Sequence, residues 1–98
     1  MIQLGERIEL KEFKEHLEPG EITILKKLIG NKANHLGDFK KLTIHLKEVH
    51  KKEKSQKFQI NAQLDLDNKL YEVEATNFNL FFTVNDVLEK LKTEIGKH

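Results

Sequence analysis

The chain has no cysteine, no tryptophan, one proline and five scattered glycines. Without cysteine there is no disulfide, no thiolate nucleophile and no cysteine-ligated zinc, and the composition fits a reducing compartment, the cytosol. The glycines never gather into Gly-x-Gly-x-x-Gly, a P-loop or Gly-x-Ser-x-Gly, so neither a phosphate cradle nor a nucleophile elbow is present. No apolar run approaches the ~20 residues of a membrane span, and Met1-Ile2-Gln3-Leu4 opens no signal peptide, so no membrane partner is expected. What remains is 38% hydrophobic and 34% charged over 98 residues. That describes one globular domain, 1–98, burying roughly 60–65% of its unfolded surface.

The charge is unevenly placed. Residues 1–22 carry −3, residues 23–58 carry +7 from ten lysines against three acids, and residues 59–98 carry −3, balancing to a net +1. A basic block in a nearly neutral chain is a common way for a small domain to present one face to a polyanion. The plainer reading is that these lysines keep a loop and a helix face solvated.

Periodicity gives the elements. Ile8, Leu10 and Phe13 among charged residues read as a half-buried strand, which Met1–Leu4 either extends or leaves loose. Glu18-Pro19-Gly20-Glu21 reads as a helix entrance, with proline in the first turn and acids near the positive end of the dipole. Ile22, Leu25, Leu28, Ile29 and Leu36 form its apolar stripe, and Gly37-Asp38 closes it. Three alternating strands follow, around Leu42/Ile44/Leu46, Phe58/Ile60/Ala62/Leu64 and Tyr71/Val73/Ala75. The lysine-rich link 48–57 reads as a mobile basic hairpin tip, and Asp67-Asn68 as a tight hairpin turn. A last helix is capped by Asn77 or Asn79, carries Phe81, Val84, Leu88, Leu91 and Ile95 on one face, and ends at Gly96. The expected fold is α+β in the order β-α-β-β-β-α. It has a four-stranded sheet, two helices packed on one face, and a polar outer face of Thr43, His45, Gln59, Asn61, Gln63, Glu72 and Glu74.

Chemistry is sparse. His45 and His50 are five apart on or beside a strand, which points them to opposite faces; His16 and His35 lie in other elements, and His98 is the last residue. No cysteine partner or helical His-x-x-x-His accompanies them, so no metal or other cofactor is expected. Glu72 and Glu74 share a strand face but should stay solvated there, paired with strand lysines or simply keeping the sheet soluble. No acid–base constellation converges, so neither an enzyme nor a small-molecule substrate is expected. The polar outer face disfavours base stacking on the sheet, and leaves nucleic acid to be held by lysine–phosphate contacts. Phe81 belongs to the core stripe. Phe78 and Phe82 are expected to staple against the sheet, the alternative being a partner-facing patch.

The element order, the basic connection and the segment Val73–Ile95 resemble the ribosome hibernation-promoting factors, the short ribosome-associated inhibitors of the S30EA or sigma-54 modulation family. Glu74-Ala75, Asn79, Phe81 and Glu89-Lys90-Leu91 match that family's strand ending, cap, aromatic and helix ending. Two features depart from it: Thr93 and Glu94 stand where members carry further basic residues, and Gly5–Glu18 is longer than their link from first strand to first helix. The resemblance implies a domain similar to double-stranded-RNA-binding domains. That domain would sit in the decoding channel of the small ribosomal subunit and block translation sterically during dormancy. It implies RNA contacts from Lys26, Lys27 and Lys32 on the first helix, and from Lys90 and, more loosely, Lys92 and Lys97 on the second. Lys40, Lys41, Lys47, Lys51, Lys52, Lys54 and Lys57 would add to that surface. The implied partner is the small subunit or structured rRNA. The other reading is a protein-interaction module, or a weak homodimer, using the sheet face or the Phe78/Phe82 patch.

Overall fold

The computed structural model describes residues 2–13, 17–52 and 55–97, the side chains of 48, 50–52 and 55 excepted. The strands are β1 (Ile2–Leu4), β2 (Ile8–Lys11), β3 (Lys41–Lys52), β4 (Ser55–Leu66) and β5 (Lys69–Asn77), and the helices are α1 (Pro19–Ala33) and α2 (Leu80–Gly96). They form a five-stranded sheet in the order β1-β2-β3-β4-β5, antiparallel except where β2 pairs with β3 in parallel. A parallel neighbour requires a crossover, and α1 supplies it. Both helices contribute to one core with the inner face of the sheet: Leu25, Ile29 and Ala33 from α1, Val84, Leu88 and Leu91 from α2, and Leu42, Ile44, Ile60 and Leu64 from the strands. No helix among the described residues is long and apolar enough to cross a membrane.

The sheet therefore has five strands where the sequence predicts four. The residues before Ile8 neither extend that strand nor lie loose. They turn at Gly5 (φ +74°) and pair back as Ile2↔Leu10 and Leu4↔Ile8. Arg7 locks the turn. Its guanidinium sits 4.4 Å over the Phe39 ring and donates to the Phe39 carbonyl at 3.1 Å, while the Leu42 N–H donates to the Arg7 carbonyl at 2.7 Å. A strand of three residues is too short to show a period, so its signal lay in Arg7 and Phe39 rather than in alternation. The first part of Gly5–Glu18, through Lys11, is spent on this extra hairpin.

The second departure is the link 48–57. Its described residues are paired strand, with Val49↔Phe58, His50↔Lys57, Lys51↔Gln56 and Lys52↔Ser55 in register. The register shifts between Leu46↔Ile60 and Glu48↔Gln59, a bulge at Lys47. One extra residue moves the core side from Leu42, Ile44 and Leu46 to Val49, which packs with Phe58 against the core. The bulge also removes the parity argument that set His45 and His50 on opposite faces; the side chain of His50 lies outside the described residues, as do His16 and His98.

The expected helix starts are in place, whereas α1 ends at Ala33 rather than running on to Gly37-Asp38. Glu21 accepts the Glu18 N–H at 3.0 Å at the start of α1, and Asn79 accepts the Phe82 N–H at 3.0 Å at the start of α2. Asp67 and Asn68 turn β4 into β5 with φ of +51° and +62°. After α1 a short 3-10 turn, Asn34–Leu36, buries Leu36, and Gly37 (φ +89°, ψ −165°) redirects the chain. That backbone region is open essentially to glycine, so Gly37→Ala should cost about 1–3 kcal/mol in denaturant unfolding.

Candidate nucleic-acid interface

The sheet face away from the helices is polar and internally neutralised. Across it the register sets Glu9, Thr43, Gln63 and Glu72 in one row, and Lys11, His45, Asn61 and Glu74 in the next. Glu72 accepts from the amides of Asn61 (3.0 Å) and Gln63 (3.3 Å), and Glu74 accepts from Gln59 with Lys47 at 4.0 Å. Lys41 reaches Glu9 at 3.0 Å, and that hydrogen bond holds the Glu9 carboxyl below the usual carboxylate range. Asn61 is only 7% exposed on this nominally open face, because its neighbours close over it. The two β5 glutamates are thus bound chiefly by strand amides, and among the described residues Lys47 is the one strand lysine that reaches either of them.

The helix side is different. Lys26 and Lys27 are exposed on α1, about 100° apart around its axis, with no ion-pair partner among the described residues. Lys32 reaches across to α2 and donates to Glu89 at 2.6 Å. That hydrogen bond, with the added Coulomb attraction of Lys32, lowers the Glu89 carboxyl below its usual range. The pair lies in a cavity of about 180 Å³ lined by Asn31, Lys32, His35, Leu88, Glu89 and Lys92. The structure therefore brings Lys32 and Lys92 together. Lys90 leaves α2 in another direction and donates to the Glu74 carbonyl at 2.7 Å, covering part of the β5 edge. Lys97 pairs with Glu94 at 3.4 Å.

The remaining candidates belong to the strands. Lys40 is exposed just before β3, where its N–H donates to the Asp65 carbonyl at 2.7 Å. Lys41 and Lys47 lie on the face away from the helices. Lys57 holds its ammonium 5.0 Å from the centre of the Phe78 ring. Lys51 and Lys52 sit in the far end of β3, their side chains outside the described residues, and Lys54 lies outside them altogether. Lys41 and Lys47 thus face away from the Lys32/Lys92 cavity.

The aromatic expectation fails at two positions. Phe78 is 62% exposed and Phe82 64% exposed, so neither staples against the sheet, whereas Phe81 is partly buried against the core. Helical phase separates them: Phe81 lies about 20° from Leu88 and about 60–80° from Val84 and Leu91 on the buried stripe, and Phe82 points a further ~100° round.

No family model matches the sequence, and no curated protein matches it. Solved structures do. A ribosomal subunit interface protein from Coxiella burnetii is 18% identical, covering 93% of this chain and 94% of its own, at a TM-score of 0.66. The N-terminal domain of Protein Y from Thermus thermophilus is 13% identical, covering 92% and 93%, at a TM-score of 0.60. Both are hibernation-promoting-factor structures, so the resemblance read from the sequence holds at the level of the fold.

Proposed function

We propose that the chain is a non-enzymatic, cytoplasmic hibernation factor that binds the small ribosomal subunit in its decoding channel and silences translation sterically. The observation that carries this reading is the fold shared over nearly the whole chain with a ribosomal subunit interface protein. The charge arrangement supports it, because a rigid domain bearing unpartnered lysines is held by rRNA phosphates and releases their counterions.

The candidate lysines contribute unequally in this account. Lys26, Lys27, Lys40 and Lys92 are exposed without ion-pair partners among the described residues, and the hairpin lysines Lys51, Lys52, Lys54 and Lys57 are further candidates named from the sequence. Lys32, Lys41, Lys47 and Lys90 are engaged within the protein and must exchange a partner for a phosphate. With about six phosphate contacts, affinity should fall with salt at a log–log slope of roughly −4 to −5. Chemical probing of small subunits tests the location: nucleotides of the decoding channel should be protected by saturating protein. Protection elsewhere, with that channel left reactive, would remove the steric mechanism.

The second reading, a protein-interaction module or homodimer, draws on the exposure of Phe78 and Phe82. It requires self-association or partner binding with little salt dependence, lost in Phe82→Asp.

A further inference from the structure

Phe78 and Phe82 flank the cap of α2, and their backbone is fixed while their rings stand in solvent. The Asn77 side chain accepts the Phe78 N–H at 2.7 Å, and the Asn79 side chain accepts the Phe82 N–H at 3.0 Å. Asn77 is itself anchored, donating to Asp86 at 3.2 Å. Two aromatic side chains on a pinned backbone lose little conformational freedom when something packs on them.

A lysine stands over one of the rings. Phe58↔Asn77 is the last pair between β4 and β5, and beyond it β4 continues in pairing with β3 alone. Lys57 lies just past that point, with its ammonium over Phe78, and Lys51 and Lys52 follow on β3. Of the acids on α2, Asp86 lies at this corner and keeps its charge while accepting from the neutral Asn77 amide, whereas Glu89 is held by Lys32 and Glu94 by Lys97. The corner thus sets two exposed rings beside the Lys57 ammonium, with the Asp86 carboxylate on its helix side.

Its size decides between occupants. Two phenyl rings exposed to this degree offer on the order of 250 Å², far below the ~800 Å² per partner of a stable protein interface. Each is a flat ring on which one nucleobase can stack. We propose that Phe78 and Phe82 are a stacking platform for an unpaired base of RNA, with Lys57 beside the adjoining phosphate. This rests on the RNA-binding reading and adds a second mode to it: one unstacked base is gripped by its face, away from a sheet whose polar surface cannot stack. Base–aromatic stacking tolerates any base, so the platform would add affinity without sequence preference.

The absence of tryptophan makes the test direct, because Phe82→Trp introduces a single reporter. A labelled oligouridylate about ten nucleotides long is titrated at about 50 mM salt, with anisotropy reporting binding and tryptophan emission reporting stacking. Emission should be quenched by the oligonucleotide, and left unchanged by heparin, a polyanion without bases. A Phe78→Leu/Phe82→Leu variant keeps the apolar area and removes the rings; it should bind the oligonucleotide about tenfold more weakly and heparin equally. Binding without quenching, at the same affinity in the leucine variant, would overturn the platform and leave the RNA reading intact. No binding of oligonucleotide or small subunits would remove the RNA reading, and the platform with it. Unquenched emission together with self-association that Phe82→Asp abolishes would assign the patch to a second copy of the chain.

Discussion

The two sides of this molecule use the same residue types to opposite ends. On the open sheet face, Glu9, Glu72 and Glu74 are each matched by a lysine or an amide from a neighbouring strand, and lysine there serves as a strut. On the helix side, Lys26, Lys27 and Lys92 stand without an ion-pair partner among the described residues, while Lys32 and Lys97 are held by the carboxylates of Glu89 and Glu94. A count of lysines does not separate these roles; the local balance of partners does. A charge neutralised within the protein must give up its partner before it can hold a phosphate, whereas a free one has only its hydration to lose.

The contrast breaks first if Lys26, Lys27 and the hairpin lysines do not carry binding. Changing Lys26, Lys27, Lys51, Lys52 and Lys54 to Glu should weaken small-subunit binding at least a hundredfold at about 0.1 M salt. The melting temperature should stay near that of the parent chain; equal affinity in filter binding would dismiss the basic-surface account. On the opposite face, Asn61→Ala should lower stability by about 1–2 kcal/mol in denaturant unfolding, by removing a buried donor to Glu72. RNA affinity should be unchanged in that variant, and a parallel loss of binding would erase the distinction between the two sides.

The boundary case is Lys32. Glu89→Gln frees its ammonium, so RNA affinity should rise a few-fold and the salt slope should steepen by about 0.9. An unchanged slope would place Lys32 outside the interface. The smallest effect concerns acid. Glu9 and Glu89 both have carboxyls lowered by a lysine hydrogen bond, so their stabilisation is complete above the unfolded carboxylate pKa and is lost as pH falls through the lower folded value. Melting temperatures should therefore drop below about pH 5, less steeply in a Glu9→Gln/Glu89→Gln variant than in the parent.

Much of this was legible in the sequence because it was local. Glu18-Pro19-Gly20-Glu21, Asp67-Asn68 and Asn79 each specify their turn or cap through their own side chains, and the structure has all three. What was not legible depended on distant residues. The β1–β2 hairpin is held by Arg7 on Phe39, far along the chain. The Lys47 bulge shows only as a three-residue step from Leu46 to Val49 in an otherwise alternating strand, a signal readable as a strand end. For Lys32 the missing fact was Glu89, which nothing in the sequence places opposite it. The exposure of Phe82 was within reach, since helical phase sets it off the stripe of Val84, Leu88 and Leu91.

The central claim, that the unpartnered lysines hold a small ribosomal subunit, is tested most directly by co-sedimenting the purified protein with small subunits at low and at high salt. The account requires binding at low salt that fades as salt rises. Absence from the subunit pellet at every salt concentration, or binding that ignores salt, would contradict it.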